Sequence, residues 1–348
     1  MNALILSIFA IVVILAFLED YMSPWQKQLI LAGLCIALIS IATFKPMSTA
    51  DAESYEYYFY YNDDETVETY TEPTYVWFSR MVLAMGGEVI WMFFIFALIA
   101  IPLKLLALWK TTPFVFTAMI VYIGIYYPMH DTVQIRCGAA TAFLLWALVP
   151  LAKREYWAAT GLMFVAGLFH YSSFAFLPLL VAGNMPVTKF WRYVFGAAIP
   201  ICLALYLIHI GAISLIPSSF TDEGKMDLYQ SLSEAGGWDE YIPYKQLTFL
   251  AEFMLLYVFL FFYDTIEEHC VYAPILVKIL VLEMFFLTMF AEVPVLGGRL
   301  HDLFGMFNAL AFACCLYCIK PRYVARLGIA LFALGYYLIQ MKDQMYFK

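Results

Sequence analysis

Apolar runs of membrane-spanning length follow one another along almost the whole chain, separated by short polar or turn-forming segments. They predict spans over residues 3–18, 28–44, 88–108, 113–128, 137–152, 156–169, 171–183, 193–216, 247–263, 271–291, 302–319 and 327–341. Each must be a helix, because a strand with open edges cannot satisfy its backbone groups in lipid. The expected fold class is therefore all-α. The chain reads as a polytopic integral membrane protein of about 12 transmembrane or half-spanning helices, with 1–348 forming a single domain. Two polar stretches, 45–87 and 217–246, stand outside the apolar pattern.

The basic residues orient this pattern. If both polar stretches face outward, alternation puts Lys27, Lys104, Lys110, Lys153, Arg154, Lys189, Arg192, Lys278, Lys320, Arg322 and Arg326 at cytoplasmic ends, 11 of the 19 Lys and Arg. The stretch from Tyr156 to Asn184 has Lys153 and Arg154 before it and Lys189 and Arg192 after it. Both sets belong in the cytoplasm, so the chain should make a hairpin of two short helices turning near His170. An arm of about 13 residues reaches only ~20 Å into a core of roughly 30 Å, so the turn should sit below the outer surface, inside protein or a water-filled cavity. A single tilted span is the alternative.

Composition supports the class and narrows the partners. The chain is 64% hydrophobic, 19% aromatic and 13% charged, with mean hydropathy +0.80, outside the range of soluble globular domains. The net charge of −8 comes largely from Asp51–Glu72, where eight acids and six tyrosines are packed together. No basic, aromatic-interleaved patch points to nucleic acid. The seven cysteines lie mostly in apolar runs, and the Cys315–Cys318 pair has helical spacing, so a disulfide framework is not expected. The amino terminus lacks both a basic segment and a cleavage site and reads as a retained span. No HxxxH or HExxH spacing occurs, and neither a metal nor another cofactor is expected. There is no internal repeat of the kind many transporters carry.

Candidate chemistry gathers on the outward face. Arg136 opens a span after a Pro128–Asp131 break, and Arg299 follows Gly297–Gly298 ahead of a helix expected to start near His301 or Asp302. Arg80 is a third outward arginine. Such residues can be snorkelling anchors, but outward placement runs against the orientation rule. Guanidinium groups at helix starts suit a diphosphate. Alternatively, Asp131 and Asp302 simply neutralise them. His170, beside Tyr171, Ser172 and Ser173, is either a structural hydrogen-bonder or a general base. His130 and His301 flank the two arginines, and Asp51, Glu53, Tyr55 and Glu72 could hold sugar hydroxyls.

The early D-x-E-x-Y-E loop, the Glu72–Pro73 pair ahead of an amphipathic helix, the IRCGAA span start, the FHYSS turn and a late R-x-x-x-x-F resemble the EpsG-type branch of Wzy polysaccharide polymerases over roughly residues 45–310. Matching positions are Asp51, Glu53, Tyr55, Glu72, Arg136, His170 and Arg299, whereas Cys137 stands where a polar residue would be expected. The resemblance implies a bacterial inner-membrane enzyme of O-antigen, capsule or exopolysaccharide synthesis. Its partners would be undecaprenyl-diphosphate-linked repeat units, the lipid bilayer and a chain-length regulator. The growing glycan would pass from one carrier to the next repeat unit at the periplasmic face. Arg136 and Arg299 would hold diphosphate, and His170, Glu72 or Asp51 would accept the proton. A glycan transporter or flippase, which should show broken midplane helices, and a membrane acyltransferase, which needs a route for its donor, are the competing classes.

Overall fold

The computed structural model describes residues 1–64, 67, 71–208, 247–291 and 294–342; the expected outer segment 217–246 and His209 lie outside these. Among the described residues the chain is helical, with no β-strand element. The elements are α1 (Asn2–Leu18), α2 (Pro24–Thr43), α3 (Ala52–Tyr60), α4 (Pro73–Ala84), α5 (Val89–Thr111) and α6 (Val115–Val121), which widens into a π-helix over Tyr122–Val133. Then come α7 (Ile135–Ala152), α8 (Tyr156–Phe169), a 3-10 turn at Tyr171–Phe176, α9 (Pro178–Ala182), α10 (Lys189–Leu207), α11 (Leu247–Phe261) and α12 (Tyr263–His269). The last four are α13 (Ala273–Met289), α14 (Pro294–Gly305), α15 (Asn308–Cys318) and α16 (Arg322–Lys342). Among the described residues six helices are long and apolar enough to cross a membrane, or eight if the bent pairs α11–α12 and α14–α15 each make one span. The expected tally of about 12 also counted half-spanning segments. Length and apolarity by themselves establish six to eight.

One end of the bundle is tied by charge. Glu19, just past α1, accepts from Phe116 N at 3.0 Å and pairs with Arg326 Nη2 at 3.0 Å, while Arg326 Nη1 reaches Asp20 at 2.8 Å. Lys27 donates to Pro113 O at 3.4 Å, and Lys110 lies over the Trp146 ring at 5.8 Å. The starts of α2, α6 and α16 and the ends of α5 and α7 therefore share one end, together with Lys153 and Arg154. Asp51–Asp64 and Glu72, between the far end of α2 and the start of α4, lie at the other.

The chain doubles back at His170. Asn184 Nδ2 donates to Leu151 O at the end of α7, and Lys278 Nζ donates to Gly183 O at 2.8 Å, so residue 184 has returned to the level from which α8 set out. His170 caps α8 with an extended backbone (φ −157°, ψ 113°), which ends the helix and opens the turn. This is the hairpin that the flanking basic residues favour, and not the single tilted span that was its alternative.

Lys104 corrects the charge reading. It was expected at a cytoplasmic end, but its side chain is 0% exposed, and Nζ donates to both oxygens of Asp131 at 2.9 and 2.8 Å. Tyr122 Oη also donates to Asp131, at 2.8 Å. Seven residues from the end of α5, roughly 10 Å along the axis at 1.5 Å per residue, the ammonium is too deep to snorkel and is neutralised in place. Asp131 is consequently the partner of Lys104 and not of Arg136.

Candidate functional site

Pro73 determines where Glu72 points. A residue before proline is pushed out of the α region, and Glu72 is extended (φ −65°, ψ 145°) at the cap of α4. Its side chain makes no cap bond and reaches sideways instead. One carboxylate oxygen accepts from Arg136 Nη1, and the other lies 2.7 Å from His170 Nδ1. Thr74 Oγ1 donates to Leu168 O at 2.9 Å and fastens the start of α4 to the end of α8. Beneath the contact, Phe169 packs on Phe78, Phe96 and Phe143 with centroids 5.4 to 6.3 Å apart. Glu72 is only 5% exposed. Burial pushes its carboxyl up, but Arg136 and the His170 bond outweigh that and hold it at about 2.

Arg136, in the first turn of α7, also lies over the rings of Tyr55 and Tyr58 at 5.5 and 5.8 Å. Tyr55 is fixed by ring contact with Tyr75 at 5.6 Å, while Tyr75 Oη donates to Tyr55 O at 2.6 Å, binding α3 to α4. Asp51 caps α3 in the left-handed region (φ 65°), which Asp tolerates better than most residues. It sits at an exposed rim, yet the surrounding protein raises its carboxyl, an effect opposed by Arg136, Arg299 and Lys45 in that order. Both arginines therefore act on the same carboxylate. Lys45 went unnoticed in the sequence, because a lysine just past a span reads as a snorkelling anchor. Its Nζ instead donates inward to Thr132 O at 2.6 Å and lies 4.0 Å from the Phe93 centroid. Burial lowers its ammonium to about 7, against the pull of Asp51.

The remaining candidates divide. Glu53 is exposed in the first turn of α3. Arg80 is drawn away to Asp63, at 3.4 Å, and to Asn62 O, at 3.2 Å, so it is not part of the Glu72 contact. His130 is fully buried against Tyr126, with centroids 5.5 Å apart and, among the described residues, no side-chain partner for either ring nitrogen, which places it below the substrate-facing surface expected for it. His301 turns inward to Glu252 and Glu283. Arg299 is exposed, but α14 already runs from Pro294, so Arg299 lies within a helix and not at the helix start inferred from Gly297–Gly298. A proline in the first turn begins that helix earlier than the glycines suggest. Asp302 meets His301 at 3.4 Å.

The result is a carboxylate anchoring an arginine and a histidine, roofed by tyrosines and flanked by a second arginine. Such a site can hold an anion and move one proton. No curated protein and no solved structure matches the chain. The family model described as the EpsG family matches residues 28–347, nearly the entire length, and carries with it a polysaccharide-polymerase-like role in a membrane. With that extent of match over an all-helical membrane fold, the chain belongs to the EpsG family.

Proposed function

We propose that the protein is a polysaccharide polymerase, a glycosyltransferase that moves a growing glycan from undecaprenyl diphosphate to a lipid-linked repeat unit at the periplasmic face of a bacterial inner membrane. The observation that carries this reading is the Arg136–Glu72–His170 contact, built at the end of the bundle opposite the basic residues Lys27, Lys110, Arg322 and Arg326. Basic residues favour the cytoplasmic side, so the opposite end faces outward.

The reaction needs two things of the protein. As the acceptor hydroxyl oxygen bonds to the anomeric carbon, the bond from that carbon to the diphosphate oxygen breaks and the electron pair leaves with the diphosphate. Arg136 and Arg299 meet that developing charge through planar, bidentate donors. The hydroxyl proton goes to His170. With Nδ1 facing Glu72, the nitrogen left for the acceptor is Nε2. Glu72, held at about 2, is too weak a base and acts as a positioning residue. Tyr58, partly exposed beside Arg136, supplies a face for a sugar ring, whereas the buried Tyr55 supports Arg136 from beneath.

The test is elongation of purified lipid-linked repeats in detergent. His170→Gln, which keeps a hydrogen bond but cannot take the proton at neutral pH, should elongate poorly while unreacted repeats accumulate. Arg136→Lys should lose most activity with its fold retained, because the ammonium loses the bidentate fork. Wild-type elongation by both variants would overturn the assignment.

A further inference from the structure

Outside the proposed site, a second polar cluster lies where α11, α13, α14 and α15 meet. Glu252 is 4% and Glu283 0% exposed, and His301 projects between them. His301 Nε2 lies 2.7 Å from Glu252 Oε2 and 3.5 Å from Glu283 Oε1. The opposite ring nitrogen, Nδ1, faces Asp302 Oδ1 at 3.4 Å. Asn308 Nδ2 donates to Glu283 Oε1 at 2.7 Å.

We propose that Glu252, Glu283 and His301 form a binding site for a divalent transition cation, Zn²⁺ or Mn²⁺. Three independent features point there. First, Glu283 Oε2 and Asn308 Oδ1 are buried acceptors without a protein donor among the described residues, a condition rare in native interiors and removed by a cation. Second, the histidine has the arrangement of a metal ligand. Asp302 faces Nδ1 at 3.4 Å, and Nε2 turns toward Glu252 and Glu283, the placing of carboxylates around a metal-ligating histidine; at 2.7 Å Nε2 and Glu252 share a proton, which a cation binding there would displace. Third, the donor atoms of the three residues lie within 4.8 Å of one another. Two ligands of one such ion, each about 2.1 Å from it, stand at most ~4.2 Å apart, so small side-chain rotations close the set. The mixed imidazole and carboxylate set suits Zn²⁺ or Mn²⁺ better than Mg²⁺ or Ca²⁺, which take oxygen alone. Gly305 leaves the room, since a Cβ there would come within 3.0 Å of Glu283 Oε1.

An ion here would cross-link α11 and α13 to α14, two residues from Arg299. It would therefore hold the segment that presents that arginine, without itself belonging to the Arg136–Glu72–His170 contact. The competing account is a proton shared by Glu283 and its neighbours with His301 doubly protonated. The experiment is equilibrium dialysis of the full-length protein in detergent against Zn²⁺, with metal content by mass spectrometry, for wild type, Glu252→Gln, Glu283→Gln, His301→Gln and Asp302→Asn. Wild type should hold one ion per chain and unfold at higher temperature with Zn²⁺ than with chelator. The first three variants should lose the ion. Asp302→Asn, which alters only the orienting carboxylate, should bind about 10- to 100-fold more weakly. Should any variant fail to fold, the wild-type measurement stands alone. Absence of saturable binding overturns the proposal, as does binding that survives all three ligand substitutions. So does a protonated-carboxyl infrared band that is lost in Glu283→Gln yet persists in wild type saturated with Zn²⁺.

Discussion

Replacing Glu72 with glutamine keeps the shape of the side chain and removes its charge, which isolates the electrostatic part of the contact. In the folded protein the carboxyl titrates at about 2, against 4.5 for an ordinary glutamate. That difference corresponds to roughly 3 kcal/mol favouring the folded state. Mutational experience with buried pairs gives a compatible range, about 3–5 kcal/mol when one partner is removed and the other is left buried. Because the folded value is the lower one, the contribution is complete above 4.5 and disappears as the pH falls through about 2. The assay is equilibrium unfolding in mixed micelles of wild type, Glu72→Gln, Arg136→Leu and the double variant. Each single variant should lose ~3 kcal/mol at pH 7, and the double should lose less than their sum by about 2 kcal/mol, the coupling expected of groups in contact. Below pH 4.5 the wild type should lose stability that Glu72→Gln has already lost. A coupling under roughly 0.5 kcal/mol, or a Glu72→Gln variant as stable as wild type at neutral pH, would refute the reasoning.

Asp131→Asn should destabilise the protein by about 3–5 kcal/mol, since it strands the Lys104 ammonium in an apolar interior, and pairing it with Lys104→Met should restore much of the loss, again by unfolding in micelles. Wild-type stability should rise as the pH increases from about 7 toward 10.5, because the folded chain has already released the Lys45 proton that the unfolded chain still binds; Lys45→Met should lack that rise. A cysteine introduced at Asp63 should react with an impermeant thiol reagent from outside the cell and one at Lys153 only after permeabilisation; the reverse pattern would reject the proposed orientation. Arg299→Lys should lower elongation without changing expression, since charge is kept and bidentate geometry lost.

Hydrophobic patterning alone determined that the chain is helical and resides in a membrane, because a bilayer leaves a backbone few ways to satisfy its own hydrogen bonds. Charge at the ends of the Tyr156–Asn184 stretch favoured a hairpin but left a single tilted span open, and Glu72, Arg136 and His170 stood out as polar groups where polarity is costly. What no sequence distance could supply is that these three meet, since Glu72 lies 98 residues from His170 and 64 from Arg136. Packing of α4 against α8 brings them together. Tertiary structure also reversed the expectation that Lys104 sits at a cytoplasmic end, and it drew in Lys45, for which the sequence carried no expectation. Their stems turn inward, where Asp131 and the Thr132 carbonyl, at the end of a widened helix, accept from their ammonium groups. Glu252 and Glu283 were single acids in apolar runs, a signal present in the sequence but without meaning there. Only the crossing of four helices shows that they face one histidine, since a buried charge is tolerated or not according to neighbours that may be distant in sequence.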